Sequence, residues 1–314
     1  MSLRNLPSLN KLDLQLIEEL ESDARQTYKD LATKLQVNRN TITSRMQRLL
    51  DGGVIKIICW IDPAALGYKF IVAFAIHPEP GQIDEMANKL AACEQVLHIH
   101  LCTGRFGIVA LAQFRDNDDL SDFLSNELGS ISGIVQLETM LALQLVKVSS
   151  RLLTDGNEPR HLEAPVRDLD DFDLKLIGEL QANARQKAGH IAKKFGVYES
   201  TIQRRMKRLM DEHVIEIGTV VHPLVLGYEG IAIIGLKCDP HKVKEVADAI
   251  ASYKQIQYVS ICTGRYDISA WVAFHKLRDL RHFITVELGS IPGLRDTDTM
   301  IVYKLVKTRN QLPV

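Results

Sequence analysis

An internal repeat with a fixed offset of 160 residues constrains this chain more than any other feature. Between residues 12 and 147, 53 of 136 positions are identical to their counterparts, without a gap. The identical segments include Ala-Arg-Gln at 24–26 and 184–186, Leu-Gly-Tyr at 66–68 and 226–228, Cys-Thr-Gly-Arg at 102–105 and 262–265, and Glu-Leu-Gly-Ser-Ile at 127–131 and 287–291. Because self-similarity at a fixed period marks repeated structural units, we predict two copies of one folded module.

Composition limits the function classes. The formal net charge is −1, so binding to nucleic acid would need a local basic surface. The five cysteines lack C-x-x-C spacing, which predicts reduced thiols in a cytoplasmic protein. No apolar run approaches the roughly 18 residues of a membrane span, and the N-terminal segment lacks the apolar core of a secretory signal. We therefore expect no membrane partner.

The first part of each copy has the pattern of three short helices. In the first copy, apolar residues recur at helical spacing before residue 50, and Thr27 and Asn38 are candidate N-caps. Gly52 and Gly53 end the third helix, and a β-rich run follows at 54–61. Three helices and a β-hairpin in this length predict a winged helix-turn-helix.

The third helix indicates DNA binding. Its apolar residues Ile42, Met46 and Leu49 share one face, and nothing acidic occurs between Asn38 and Leu50. Arg and Lys neutralise phosphates and reach guanine, while Asn and Gln can read adenine in the major groove. The candidate DNA contacts in both copies are Asn38, Arg39, Asn40, Thr43, Ser44, Arg45, Gln47, Arg48, Ser200, Gln203, Arg204, Arg205, Lys207 and Arg208. Arg45 and Arg205 lie near the edge of the core, where they either contact phosphate or cover apolar surface.

The two copies differ in this unit. The second has Lys187 and Tyr198 at the cap positions, and both are poor caps. Its outward helix face carries three cations, against one in the first copy. We expect the second copy to supply more phosphate-driven affinity and the first more base reading, on an asymmetric operator.

The second part of each copy has the order βαββαβ. Strand-like runs at 71–76, 96–102, 108–114 and 134–146 alternate with helical stripes at 83–90 and 120–131. This order predicts a ferredoxin-like fold whose free sheet face pairs with another copy, either within the chain or between chains. The fold class is therefore α+β, with a winged helix-turn-helix domain at 1–62 and 169–222, a ferredoxin-like domain at 63–148 and 223–314, and a linker at 149–168.

The module resembles the Lrp/AsnC family, in which a winged helix-turn-helix precedes a βαββαβ domain of the RAM type. The resemblance rests on the third-helix segment 41–49, on 53–55, 66–68 and 263–267, and on 292–294 leading into Thr-Asp-Thr at 297–299. It implies a transcriptional regulator of double-stranded DNA that forms homo-oligomers through the RAM sheets. It also implies a small effector, an amino acid or related metabolite, bound between RAM domains.

The resemblance places the effector near the Thr-Gly-Arg turn and the Thr-x-Thr strand. The candidate residues are Thr263, Gly264, Arg265, Tyr266, Asp267, Thr297 and Thr299 in the second copy, and Thr103, Gly104, Arg105 and Thr139 in the first. An Asp can hold an ammonium group, and Thr hydroxyls can fix orientation. The first copy departs from the pattern, with Gly107 in place of the Asp and Leu137 in place of the first Thr, so we expect the dominant site to involve the second copy.

Two signals point to other chemistry. His98 and His100 share one strand face, but no Cys, His or carboxylate set completes a metal site, so packed or solvated histidines are favoured and no cofactor is expected. The rival function is a tetrapyrrole enzyme, since sirohaem decarboxylases share this architecture, sometimes as tandem fusions. Their Asn-Trp-Phe segment is absent here, where 105–107 and 265–267 stand, and a non-enzymatic regulator is the preferred interpretation.

Overall fold

The computed structural model describes residues 8–149, 152–154 and 168–308. The first copy forms the elements α1 Lys11–Ser22, α2 Tyr28–Lys34, α3 Arg39–Asp51, β1 Ile55–Ile61, β2 Phe70–Pro78, α4 Ile83–Ala92, β3 Val96–Cys102, β4 Ile108–Phe114, α5 Asn117–Asp122 and β5 Ile134–Val148. The predicted βαββαβ order is confirmed. Most of the predicted linker lies outside the described residues.

The second copy repeats this order. Its elements are α6 Asp171–Ala182, α7 Ala188–Phe195, α8 Glu199–Asp211, β6 Ile215–Val221, β7 Gly230–Cys238, α9 Val243–Ala251, β8 Ile256–Thr263, β9 Ile268–Phe274, α10 Leu277–His282 and β10 Leu294–Thr308. None of the helices in the described ranges is long and apolar enough to cross a membrane. All five cysteines are free thiols.

The predicted difference in helix caps is present. Thr27 Oγ1 accepts the backbone N–H of Asp30 at 3.2 Å, and Asn38 Oδ1 accepts that of Thr41 at 2.8 Å. Lys187 and Tyr198 make no side-chain cap. The second copy therefore satisfies fewer of the orphan N–H groups at these helix starts with its own side chains.

The expected β-hairpin is wrong. The run after α3 is the single strand β1, and its partner is β6 of the other copy, with Ile55 opposite Val221 and Ile61 opposite Ile215. Each strand also contributes apolar side chains to the core of the other copy. Cys59 and Ile61 pack under the helices of the second copy, and Val221 packs under those of the first. A hairpin inside either copy would have left these apolar residues without that cover.

The strands of the two α+β units close into one sheet. Each unit has the ferredoxin-like order, β3-β4-β2-β5 and β8-β9-β7-β10, and the seams β5–β8 and β10–β3 join them. Helices cover the outside, while Val109, Met140, Ile233 and Met300 meet inside. The pairing left open by the sequence thus occurs within one chain, and the inner sheet faces are unavailable to a second chain.

Two equivalent lysines fasten the seams. Lys147 Nζ donates to the carbonyls of Ala251 and Tyr253 at the end of α9, both at 2.9 Å. Lys307 Nζ donates to the carbonyl of Cys93 at the end of α4, at 2.7 Å. A cation at the C-terminus of a helix is favourable because orphan carbonyls concentrate partial negative charge there. Each copy therefore caps a helix of the other.

Candidate DNA-binding surface and effector cavity

The third helix of each helical unit presents a polar face to solvent. On α3, Ile42, Met46 and Leu49 are fully buried. The exposed candidates of the two copies are Asn38, Arg39, Asn40, Thr43, Ser44, Gln47 and Arg48, and Ser200, Gln203, Arg204 and Lys207. Each set carries two exposed cations, Arg39 and Arg48 on α3 and Arg204 and Lys207 on α8. The excess of cations expected on the second copy is therefore not present among the exposed candidates.

Four candidate arginines bind the protein's own helices. Arg45 Nη1 lies 2.9 Å from Oδ1 of Asp13, a fully buried residue of α1, and Arg48 pairs with the other oxygen. In the second copy, Arg205 and Arg208 bind the equivalent Asp173. Arg48 and Arg208, expected to face outward, therefore turn toward the first helix and tie it to the third. Both retain partial exposure of their side chains, about two fifths.

Asp13 is held in its ionised form. Burial by itself would raise its pKa, but hydrogen bonds from the backbone N–H of Asn10 and from Arg45, with the charges of Arg45 and Arg48, lower the pKa below the usual value. Since a buried carboxylate without partners is unstable, the two arginines are needed for the packing of α1 against α3.

Reciprocal contacts join the two helical units. Arg25 donates to the carbonyls of Ala184 and Gln186 at 2.8 and 3.3 Å, and Arg185 donates to those of Ala24 and Gln26 at 2.6 and 2.7 Å. The same residues interact in both directions, as in a symmetric dimer interface. With the β1–β6 pairing, these bonds place α3 and α8 in one unit.

The two Thr-Gly-Arg turns pack on strands of the opposite copy. Gly264 has φ +120°, and a Cβ there would lie 2.6 Å from the carbonyl oxygen of Thr139. Gly104 has φ +101°, and its Cβ would lie 3.1 Å from the carbonyl oxygen of Thr299. Glycine is required here by both the positive φ and the close approach. The predicted turn and strand therefore meet, but always across the two copies.

A cavity of about 680 Å³ opens beside these turns. It is lined by Arg105, Glu138, Lys237, Gly264, Arg265, Tyr266, Asp296, Thr297 and Asp298. Three cations and three carboxylates surround it, and both copies contribute. A volume of this size holds a small metabolite.

The polar groups of the cavity form a network. The Tyr266 hydroxyl donates to Asp298 at 2.6 Å and accepts from Nε of Arg265 at 3.2 Å. Arg265 also lies 3.5 Å from Glu138 of the first copy. Burial, followed by the hydrogen bond to Asp298, raises the pKa of Tyr266 to about 12, so the phenol stays protonated at neutral pH.

Several predicted effector residues lie outside the cavity lining. Asp267 uses both oxygens within the protein, accepting from Lys237 Nζ at 3.0 Å and from the backbone N–H of Cys238 at 2.9 Å. Thr299 lies opposite Ile234, a residue of the core beneath the helices, and Thr139 lies opposite Phe74 in the equivalent core. Thr103 directly follows β3, and Thr263 is the last residue of β8, so both lie at the turns. Of the candidates, Arg105, Gly264, Arg265, Tyr266 and Thr297 line the cavity.

Sequence reasoning missed Asp298 as a lining residue and did not propose Glu138, its equivalent. Both occupy the middle of the Thr-x-Thr segment or its counterpart. Successive side chains of a strand point to opposite faces, so when the threonines face the helices the middle residue faces the enclosed side. This alternation was the available signal. Asp296, two residues before Asp298 on β10, carried the same signal. Lys237, its partner on β7, had none.

The paired histidines are packed inside the closed sheet. The rings of His98 and His100 lie 5.9 and 4.8 Å from the indole of Trp271, and Nδ1 of His100 has no hydrogen-bond partner in the described structure. In residues 8–149, 152–154 and 168–308, no three His, Cys, Asp or Glu residues cluster as metal ligands would. Burial lowers the pKa of His98 to about 4 and that of His100 to about 3.

Comparison with known proteins agrees with this architecture. The model of the Lrp/AsnC ligand-binding domain matches residues 71–152 and 231–312. The AsnC-type helix-turn-helix domain matches 169–210, and a winged helix-turn-helix DNA-binding model matches 9–56. Together these matches cover both copies of the repeat.

Named relatives resemble a single copy. The HTH-type transcriptional regulator FL11 of Pyrococcus furiosus is 40% identical over 147 residues, covering 46% of this chain and 97% of the relative. LrpA of Pyrococcus horikoshii is 29% identical over 140 residues, covering 44% of this chain and 99% of its own length.

Nearly the full length of the chain matches a solved structure. The sirohaem decarboxylase NirDL has a TM-score of 0.67 and 15% identity, and the match covers 96% of this chain and 93% of NirDL. At that identity the likeness establishes a shared fold only. The family matches over both copies show that this chain belongs to the Lrp/AsnC family of DNA-binding transcriptional regulators, as a tandem duplication of its helix-turn-helix and ligand-binding module.

Proposed function

We propose that the chain is a sequence-specific regulator that reads two unlike half-sites of one operator and responds to an amino acid or related metabolite. The observation that carries the proposal is the joining of α3 and α8 into one unit by the crossed strands and the reciprocal arginines. A single chain then carries both recognition helices that a two-fold symmetric dimer would use to bind two half-sites of DNA. Its two halves need not be identical.

The half-site reading is divided between the copies. Asn40, Ser44 and Gln47 offer uncharged donors and acceptors on α3, which suit base edges. Arg204 and Lys207 are exposed cations on α8, which suit phosphates. Arg48 and Arg208 contribute chiefly by holding the helices in place.

Salt dependence tests this division. The double variant Arg204→Ala/Lys207→Ala should reduce the slope of log affinity against log salt by about 1.8, because each phosphate contact contributes about 0.9. Gln47→Ala should leave the slope unchanged and weaken preference for the selected sequence. The control is Lys89→Ala, which removes an exposed cation of α4 that pairs with Glu85. It should change neither the salt slope nor the preference for the selected sequence.

Operators selected from random DNA at fixed salt would supply the probe. Equal slopes for wild type and the double variant would refute the assignment of phosphate contacts to α8. A perfectly symmetric selected operator would refute the unequal halves.

The cavity suits a zwitterion. Arg105 is exposed and lines it, so its guanidinium can receive a carboxylate in a bidentate pair. Glu138 on β5 and Asp298 on β10 place carboxylates in the cavity lining, where an ammonium group can bind. Asp267, already bonded to Lys237 and Cys238, is assigned the role of supporting the turn.

Calorimetry with a panel of amino acids tests the site. Arg105→Ala should weaken binding of the preferred ligand by at least about tenfold, the loss expected for a charged hydrogen-bonding group. Lys69→Ala, a lysine before β2, serves as control. Binding that is unaffected by both Arg105→Ala and Asp298→Asn would refute the location of the effector.

The full-length likeness to NirDL makes a tetrapyrrole enzyme the second candidate. The enclosed core between the sheets offers a cavity of about 20 Å³, which is space for about one water molecule. Purified protein that carries a coloured tetrapyrrole would favour the enzyme. Colourless protein that retards selected DNA would favour the regulator.

A further inference from the structure

One aromatic side chain of the second helical unit contributes nothing to the packing of the fold. Tyr198 is 85% exposed, the largest value among the large apolar and aromatic side chains of residues 8–149, 152–154 and 168–308. Across the same ranges its side chain makes no hydrogen bond, ring contact or cation–π contact. A ring in this position keeps its apolar area in water, so a partner that covers it gains free energy from the contact.

Helix stability does not explain the tyrosine. Tyr198 occupies the N-cap position of α8 but makes no side-chain cap, and the backbone N–H of Thr201 donates to the carbonyl oxygen of Tyr198 instead, at 3.0 Å. In the first copy the equivalent Asn38 caps α3, because its Oδ1 accepts the backbone N–H of Thr41 at 2.8 Å. Asparagine is among the best N-caps, so the second copy has an aromatic residue where a capping side chain would stabilise the helix.

Tyr198 stands at the start of the surface assigned above to DNA. Ser200, Gln203 and Arg204 follow it on α8 with exposed side chains. In a helix-turn-helix, the N-terminal residues of the recognition helix are those that contact base edges in the major groove. Once α8 lies in the groove, the ring of Tyr198 is therefore within reach of the bases.

The neighbouring charge favours a base over a phosphate as the partner of the ring. Glu199 is exposed and accepts a hydrogen bond from Nε2 of Gln203 at 3.2 Å, whereas the equivalent residue of the first copy is Arg39. A carboxylate beside the ring repels phosphate groups. Among the groups that base pairs present in the major groove, the C5 methyl of thymine is the apolar one.

We propose that Tyr198 is a specificity-determining residue that packs its ring on the C5 methyl group of a thymine in the half-site bound by α8. The inference rests on the proposed DNA-binding function and adds a residue and a base to it. The half-site bound by α3 lacks this requirement, because the side chain of Asn38 is small and is already used as a cap. The two half-sites then differ at this position.

Removal of a single methyl group from the DNA tests the contact. Each thymine of the operator selected by wild type is replaced in turn by deoxyuridine, which lacks only the C5 methyl, and affinity is measured by fluorescence anisotropy at fixed salt. At one thymine, wild type should lose affinity about fourfold, the ratio expected for burying one methyl-sized group. Tyr198→Asn should bind both DNAs with the same affinity, and Tyr198→Phe should keep the fourfold difference because it keeps the ring.

The variants separate a contact with DNA from a structural role. Tyr198→Asn restores the capping residue of the first copy, so it should be at least as stable as wild type in urea unfolding while it binds the operator less tightly. Tyr303→Asn, which removes a tyrosine that is 56% exposed on β10, is the control and should keep the sensitivity to deoxyuridine.

Three results would overturn the proposal while leaving the proposed function intact. The first is a selected operator in which no thymine loses its methyl effect when Tyr198 is replaced by Asn. The second is a loss in Tyr198→Phe as large as in Tyr198→Asn, which would assign the contact to the hydroxyl group. The third is a lower stability of Tyr198→Asn that accounts for its weaker binding. Wild type that selects no DNA sequence would refute the proposed function and this inference together.

Discussion

Acidification should loosen the seam at which β3 of the first copy meets β10 of the second. His98 and His100 lie on β3, opposite Thr308 and Leu305. Burial lowers the pKa of His98 to about 4 and, together with the nearby His98, lowers that of His100 to about 3. In the unfolded chain a histidine titrates near pH 6.5. Between these limits the unfolded state binds more protons than the folded state, so stability falls as the pH falls.

The magnitude follows from the unfolded pKa. At about pH 5 the folded rings are still neutral, so the free energy of unfolding falls, relative to about pH 8, by about 1.4 kcal/mol for each unit below 6.5. This is about 2 kcal/mol for each histidine and about 4 kcal/mol for the pair. This loss of unfolding free energy depends little on the pKa values of the two histidines in the folded state, as long as both lie below about 4.5.

Trp271 reports on the seam because its indole contacts both imidazoles. In a Trp60→Phe background it is the single tryptophan of the chain, and urea unfolding followed by its fluorescence gives the free energy at each pH. His98→Asn/His100→Asn should remove about 4 kcal/mol from the difference between pH 8 and pH 5. The control variant His190→Asn/His241→Asn, which changes two exposed histidines, should leave this difference unchanged. An unchanged pH dependence in the first variant would refute the reasoning.

Three further variants probe the other contacts. Asp13→Ala should lower the free energy of unfolding by about 1–3 kcal/mol in urea titrations, because it removes the charged hydrogen bond between Asp13 and Arg45. An effect below about 0.5 kcal/mol would mean that water fully replaces Asp13 as the partner of the arginines. Arg25→Ala/Arg185→Ala should weaken binding to a two-half-site operator more than to an isolated half-site, measured by fluorescence anisotropy. Equal losses would show that these arginines do not couple the two readers. Tyr266→Phe should weaken effector binding about tenfold in calorimetry, since it removes a hydrogen bond to a carboxylate; unchanged affinity would place the effector elsewhere.

The sequence determined the local structure. The helical and strand periodicities and the N-caps at Thr27 and Asn38 each depend on residues a few positions apart, and each predicts an element that is observed. The 160-residue repeat shows that the same elements occur twice. Their energies come from backbone bonds and apolar faces that the chain specifies position by position. The identity of the family also follows from these local signals, because the motifs occur in order along each copy.

Tertiary structure decided how the copies combine. Two similar copies offer similar pairing surfaces, so no local signal states whether β1 pairs within its own copy or with β6. That choice depends on which arrangement buries Cys59, Ile61 and Val221. The same holds for Arg48, whose partner Asp13 lies 35 residues away. The lining of the cavity also depends on tertiary structure. Strand alternation shows which side chains share a face, but only packing decides which face is enclosed.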